Sequence, residues 1–338
     1  MSESDGRVLV IEDLHKSFGV RQPMLDRLRS KPRPRAVAVD GVSLEVNLRE
    51  RLGLVGESGS GKTTLARCIL RLIEPDRGSI RFDGRELTGA SRHELQRVRR
   101  RVQMVFQDPY SSLNPRLKVG VAIAEPALVH GLIEKAEAPA HVERMLGLVG
   151  LPASAAERYP RQLSGGQRQR IAIARALSVE PEFLVADEPV SALDVSIQAQ
   201  ILNLLDDLLE TLNLTMIFIA HQLSVVRHIA DRVAIMYLGR IVETGPTEQV
   251  FEAPQHPYTQ ALLAAAPRPD PATRGRKATA RGDIPSPLRI PSGCRFRTRC
   301  AFAEERCREE DPQLREVAPA QWAACHVLPF RGVTEHAG

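Results

Sequence analysis

The chain has 338 residues, 43% of them hydrophobic, with 46 lysines and arginines against 41 aspartates and glutamates. That length suffices for one large domain or two smaller ones with a substantial core, and a net charge of +5 is too mild to argue for nucleic acid by itself. No apolar run approaches the roughly 20 residues of a membrane-spanning helix, and the polar start, Met1-Ser2-Glu3-Ser4-Asp5-Gly6, carries no apolar signal region, so a cytoplasmic chain that meets a membrane only through partners is expected.

Val8-Leu9-Val10-Ile11 predicts a first strand ending near Leu14. Phe18, just beyond, either stacks on a nucleotide base or packs the strand end. Residues 19–35, rich in proline and arginine, read as a loop insertion, and Leu44 and Val46 predict a second strand. Arg51-Leu52-Gly53-Leu54-Val55 is a third, running straight into Gly56-Glu57-Ser58-Gly59-Ser60-Gly61-Lys62-Thr63-Thr64. Two glycines separated by four residues, then lysine and a hydroxyl residue, describe a phosphate-cradling loop. Its N-H groups turn inward at the positive end of a helix, marked here by Leu65, Ile69, Leu70, Leu72 and Ile73 at helical spacing. Lys62 would reach the outer phosphates and Thr63 would ligate Mg2+. Cys68, within that helix, reads as a small core residue. Gly78 to Arg85, containing Asp83-Gly84, predicts a hairpin.

Arg97-Val98-Arg99-Arg100-Arg101 is a basic run suited to solvated surface or to an anionic membrane face. Val102 to Phe106 predicts a strand ending at Gln107, residues 108–115 are turn chemistry, and helical patterning follows over 119–131 and 140–149. Residues 108–165 therefore read as a helical subdomain inserted into an α/β core. Leu163-Ser164-Gly165-Gly166-Gln167 opens another helix with a second anion-binding terminus. Phe183 to Ala186 is an apolar strand ending in Asp187-Glu188, where open α/β sheets bind ligands. Asp187 would hold Mg2+ and Glu188 would orient or deprotonate water. A helix to about Asn213 follows Asp194, then a strand over 215–219, with His221 two residues beyond. The phosphate loop, Gln107, Asp187, Glu188 and His221 are expected on one edge of the sheet.

This order of motifs resembles the nucleotide-binding domain of ABC transporters, and 163–167 separates that family from other P-loop ATPases. The resemblance implies an α/β P-loop NTPase (ABC ATPase) core with a β-rich N-terminal subdomain, an inserted helical subdomain (about 108–165) and a small Cys-rich C-terminal module. The expected divisions are 1–266 for the ATP-binding domain, 267–291 for a linker or strap and 292–338 for the Cys-rich module. It also implies a head-to-tail dimer binding ATP and Mg2+. Residues 56–61, Lys62 and Thr64 would hold the phosphates, with Thr63, Gln107 and Asp187 around Mg2+. Glu188 would be general base, Gln107 the γ-phosphate sensor and His221 a γ-phosphate contact. Ser164, Gly165, Gly166 and Gln167 would act across the dimer, Asp194 would couple the sites and Phe18 would stack on adenine.

Phe106 to Pro115, Ser191 to Gln200 and His256-Pro257-Tyr258-Thr259-Gln260-Ala261-Leu262 resemble the oligopeptide and dipeptide importer ATPases, and Val190-Ser191 resembles their F-type subunit. That implies partnership with a D-type paralogue or a second copy of this chain, two permease subunits and, through them, an extracytoplasmic substrate-binding protein, at the cytoplasmic face of the membrane. The competing class is a soluble ABC ATPase acting on nucleic acid or ribosomes. One phosphate loop and no sustained heptads count against it.

Four of the five cysteines cluster at the end: Cys294, five residues, Cys300, six residues, Cys307, seventeen residues, Cys325. Four thiolates over such a stretch can close a tetrahedral site for an iron-sulfur cluster or Zn2+, or simply pack as thiols. Arg295, Arg297 and Arg299 stand near enough in sequence to offset its negative charge. The subfamily resemblance favours a [4Fe-4S] cluster.

Overall fold

The computed structural model describes residues 6–20, 34–108, 112–265, 280 and 282–328. The readings made for 21–33, for the turn at 109–111, for most of the linker (266–279) and for 329–338 lie outside the described residues. Contacts group the chain into one unit of Met1–Val46, Leu52–Thr88 and Ala220–Gly338, and another of Asn47–Arg51 and Gly89–Ile219.

The first unit contains β1 (Arg7–Gly19), β2 (Arg35–Asn47), most of β3 (Arg51–Val55), α1 (Lys62–Ile69), β4 (Arg77–Phe82) and β5 (Arg85–Glu86). One sheet runs in the order β2-β1-β4-β5. Val8, Leu9, Ile11 and Leu14 of β1 are buried. The strand passes its expected end because the register against β4 shifts between Glu12 and His15, with Asp13 at φ 44°. That bulge takes up the irregularity and pairing resumes, His15 opposite Arg77. β2 starts far earlier than Leu44. Val39, Val42, Leu44 and Val46 are buried, but Gly41 at φ 69° breaks their alternation and hides the first half. The Asp83-Gly84 hairpin joins β4 to β5 as expected, both residues at positive φ.

The second unit holds α2 (Arg92–Arg101), β6 (Val102–Val105), α3 (Val119–Val129), α4 (Ala138–Leu148), α5 (Gly165–Leu177), β7 (Phe183–Asp187), α6 (Val195–Thr211) and nearly all of β8 (Thr215–Ala220). Its strands are parallel in the order β8-β7-β6. Every residue of β7 and β8 is buried, as parallel strands covered on both faces must be. In the helical part, buried His141 of α4 lies with Nε2 2.9 Å from Ser178 Oγ, which donates to Ile123 O of α3 at 2.7 Å. These bonds tie α3 and α4 to the end of α5. The basic run of α2 is an exposed helix with no buried residue, started by a Ser91/Glu94 capping box.

After β8 the first unit continues with α7 (Leu223–Val226), β9 (Arg232–Tyr237), β10 (Arg240–Pro246), α8 (Thr247–Glu252), α9 (Pro257–Ala265), α10 (Arg306–Glu309), β11 (Arg315–Ala318) and β12 (Gln321–Ala323). β3 pairs parallel with β9, and β10 pairs antiparallel with both β9 and β12. The Cys-bearing end of the chain therefore extends the sheet that carries the phosphate loop. Among the described residues, no helix is long and apolar enough to cross a membrane.

Candidate functional site

In the first unit, β3 delivers the loop 56–61 beside β9, Val55 pairing with Ile235. A Cβ on Gly56 would stand 2.1 Å from Met236 O, and one on Gly61, at φ 107°, 2.0 Å from Ala38 O. Only glycine fits either place. Gly61 is also the N-cap of α1 and no side chain caps that helix, whose positive N-terminal end favours an anionic ligand. Lys62 is buried, its Nζ donating to Gly56 O at 2.6 Å and Glu57 O at 3.1 Å. Its charge is thus aimed into the loop. Thr63 and Thr64 are half-buried in the first turn. Phe18, next to the last residue of β1, is 40% exposed, with Lys16 Nζ 5.6 Å from its ring centre. Cys68 is fully buried and burial pushes its thiol up to about 11, in keeping with the core role. His221, just past β8, is exposed.

In the second unit, parallel pairing puts the ends of β6 and β7 side by side, Val105 opposite Ala186. Asp187 is 2% exposed. Glu188 follows at φ 45°, a strained backbone for a non-glycine residue, with its N-H donating to Ile219 O at 3.0 Å. Gln107 Nε2 donates to Glu188 Oε2 at 2.8 Å. The geometry joins two residues that the sequence placed on separate strand ends.

Ser164 caps α5. Its Oγ accepts from the Gln167 N-H at 3.3 Å and its own N-H donates to Gln167 Oε1 at 3.2 Å, a capping box. The Ser164 hydroxyl proton remains a donor, whereas the Gln167 carbonyl oxygen is used locally. A Cβ on Gly166 would meet Ile197 Cγ2 of α6 at 2.7 Å, so this glycine permits close helix packing. Exposed Asp194 is the N-cap of α6, its backbone carbonyl taking the N-H of Ile197 and of Gln198.

Cys294, Cys300, Cys307 and Cys325 line one cavity with His326 and Phe296, and Cys294 N-H donates to Cys307 O at 2.9 Å. Burial and the neighbouring sulfurs push Cys294 up to about 12 and raise Cys300 and Cys325. Among the described residues, no group of three or more His, Cys, Asp or Glu is placed to hold a metal ion.

Sequence reading placed Arg299 beside the cysteines and Tyr258 in a subfamily motif, and connected neither with the phosphate loop that both touch. Arg299 grips both carboxylate oxygens of Glu57, at 2.6 and 2.9 Å, and Tyr258 Oη accepts the Glu57 N-H at 2.8 Å. No local signal links positions 242 residues apart.

The ABC transporter family profile matches residues 39–191, and that of the oligopeptide/dipeptide transporter C-terminal region matches residues 242–307. A putative peptide import ATP-binding protein of Brucella ovis is 54% identical over 287 residues, covering 85% of this chain and 90% of that protein. The chain belongs to the ATP-binding subunits of the oligopeptide/dipeptide ABC transporter family. The family likeness continues in the di/tripeptide transport ATP-binding protein DppF of Pseudomonas aeruginosa, 47% identical over 96% of this chain and 99% of that one. The oligopeptide transport ATP-binding protein AppF of Bacillus subtilis is 46% identical over 95% and 97%. Among solved structures, the ATP-binding cassette MJ0796, as a dimer in a post-hydrolysis state with ADP and phosphate, superposes with a TM-score of 0.62 at 27% identity, covering 71% of this chain and 98% of that one. As an ABC ATPase the chain binds ATP with Mg2+ and hydrolyses it, and the uncapped α1 terminus, the two glycine contacts and the buried Asp187 fit that pair of ligands.

Proposed function

We propose that this subunit hydrolyses ATP to drive peptide import through two membrane permeases. The observation that carries the reading is the likeness to relatives named for peptide, oligopeptide and di/tripeptide transport, over 85 to 96% of the chain, with residues 242–307 matching the peptide-transporter C-terminal region. The same names favour the importer over an ATPase acting on nucleic acid or ribosomes. Tagging the chain in its host membrane and identifying what co-purifies tests it. With this chain at the cytoplasmic face, two permeases, a D-type paralogue or a second copy of the chain, and a linked extracytoplasmic substrate-binding protein are expected. Ribosomes or DNA with no membrane protein would overturn it.

In the proposed chemistry, Lys62 and the 56–61 N-H groups bind the phosphates, and Thr63, Gln107 and Asp187 would hold Mg2+, whose charge would offset that of the transferring group. Glu188 takes the proton of water as its oxygen bonds to the γ-phosphorus and the bond to the bridging oxygen breaks. His221 contacts the γ-phosphate, Phe18 stacks on adenine, and Ser164 with Gly166 approaches the γ-phosphate from the paired ATPase, the Ser164 hydroxyl donating. Asp194, at the start of α6, couples the two sites. Gln107, held to Glu188, carries the state of the site towards the permeases.

The four C-terminal cysteines are read as ligands of a [4Fe-4S] cluster, ahead of Zn2+. Support comes from all four lining one cavity, and four cysteine thiolates are the usual ligand set of such a cluster. Iron and acid-labile sulfide in anaerobically purified protein test this, and their absence would remove the cluster.

A further inference from the structure

Glu57 is an adverse residue for its position. It sits second in a loop that receives polyphosphate, and an uncompensated carboxylate there repels the ligand. Arg299 answers it: two near-parallel N-H bonds at 2.6 and 2.9 Å from a guanidinium whose side chain is only 8% exposed. Such two-pronged pairing fixes geometry as well as charge. The guanidinium is itself braced, 5.9 Å from the Tyr237 ring centre and 5.8 Å from that of Phe296. Tyr258 packs on both rings, at 4.6 and 5.4 Å, and accepts the Glu57 N-H.

A second arm reaches the other end of the loop. Arg295 binds Leu238 O and Asp40. The next residue, Gly239, donates its N-H to Ser60 O at 2.8 Å, and its carbonyl accepts the Asp40 N-H at 2.9 Å. Residues 294–300 thus hold the loop at Glu57 directly and at Ser60 through Leu238-Gly239.

We propose that Arg299 is a positioning residue for ATP binding: it neutralises Glu57 and holds the phosphate loop in its receptive shape, making the Cys-bearing segment a working wall of the nucleotide site. This rests on the loop binding ATP. An unpaired charge beside a polyphosphate shifts affinity by roughly tenfold at the effective dielectric of a protein surface. Accordingly Arg299→Gln is expected to raise the KM for ATP, and the Kd of a fluorescent ATP analogue, about tenfold, with kcat within roughly twofold of the native chain.

The deciding measurement is the double variant Arg299→Gln/Glu57→Gln, in the full-length chain assembled with its partners. Removing the carboxylate removes the need for compensation, so affinity recovers most of the loss. A brace that merely supports the fold would leave the double variant as weak as the single one. Should Arg299→Gln fail to fold, Arg299→Lys, with and without Glu57→Gln, gives the same comparison at smaller amplitude. An unchanged KM in the single variant, or no recovery in the double, overturns the proposal. A native complex without ATPase activity would instead overturn the transporter reading, so the two failures are distinguishable.

Discussion

Gln107 Nε2 donates to Glu188 Oε2 at 2.8 Å, so the residue beyond β6 orients the carboxylate beyond β7. Glu188 is also held by its N-H on Ile219 O, which leaves the side chain as the adjustable part. Glu188→Gln should lower ATP turnover by about 10²- to 10⁴-fold with nucleotide binding retained. Gln107→Ala should leave KM for ATP near native and lower kcat by roughly ten- to a hundredfold, read by steady-state hydrolysis in the assembled transporter. Near-native turnover in Glu188→Gln would remove it as the base.

Two glycines differ in what an added methyl group would meet. At Gly61 the obstacle is the Ala38 carbonyl, 2.0 Å away, with the backbone at φ 107°, and neither can yield. Gly61→Ala should destabilise the chain by about 2 kcal/mol or more and abolish binding of a fluorescent ATP analogue. At Gly166 the obstacle is Ile197 Cγ2 at 2.7 Å, which a rotamer change can move. Gly166→Ala should cost only about 1 kcal/mol, measured by urea unfolding, and its larger effect should fall on ATPase activity of the dimer.

Acid sensitivity should centre on His256. The ring is 1% exposed, burial pushes it from 6.5 down to about 3, and Nδ1 accepts the Tyr258 N-H at 3.0 Å. Between pH 6.5 and about 3 the unfolded chain takes up a proton that the folded chain refuses. Stability from this group is therefore complete above pH 6.5 and falls on acidification, by at most about 1.4 kcal/mol per pH unit. Buried Glu243 accepts the His256 N-H and is raised above 4.5 by burial, so acidification through its window acts in the opposite sense. Urea unfolding at pH 7, 6 and 5 should show a shallower acid loss in His256→Gln than in the native chain. Equal slopes would refute the assignment.

Thiol chemistry should show Cys68 to be protected by the fold. Cys68 is fully buried with its thiol raised to about 11, so the thiolate that reacts is scarce and shielded. A maleimide should leave Cys68 unmodified in the folded chain and label it only on unfolding, as read by peptide mass spectrometry. Rapid labelling under native conditions would contradict the packing.

What the sequence determined by itself is the local chemistry. Gly56 to Thr63 lie between one strand and one helix, Asp187-Glu188 end one buried strand, and Ser164-Gly165-Gly166-Gln167 open one helix. In each case neighbours along the chain share the element that positions them, so order and spacing carry the meaning. Tertiary structure decided the rest, because those partners meet only through packing. The bulge at Asp13 that carries β1 to Gly19 depends on β4. The pairing of β12 with β10 brings the Cys-bearing end onto the sheet, and Gln107 reaches Glu188 because β6 and β7 run parallel. Arg299 sits 242 residues from Glu57. Its guanidinium finds that carboxylate because Tyr237, Tyr258 and Phe296 pack together around it, a contact that no spacing along the chain encodes.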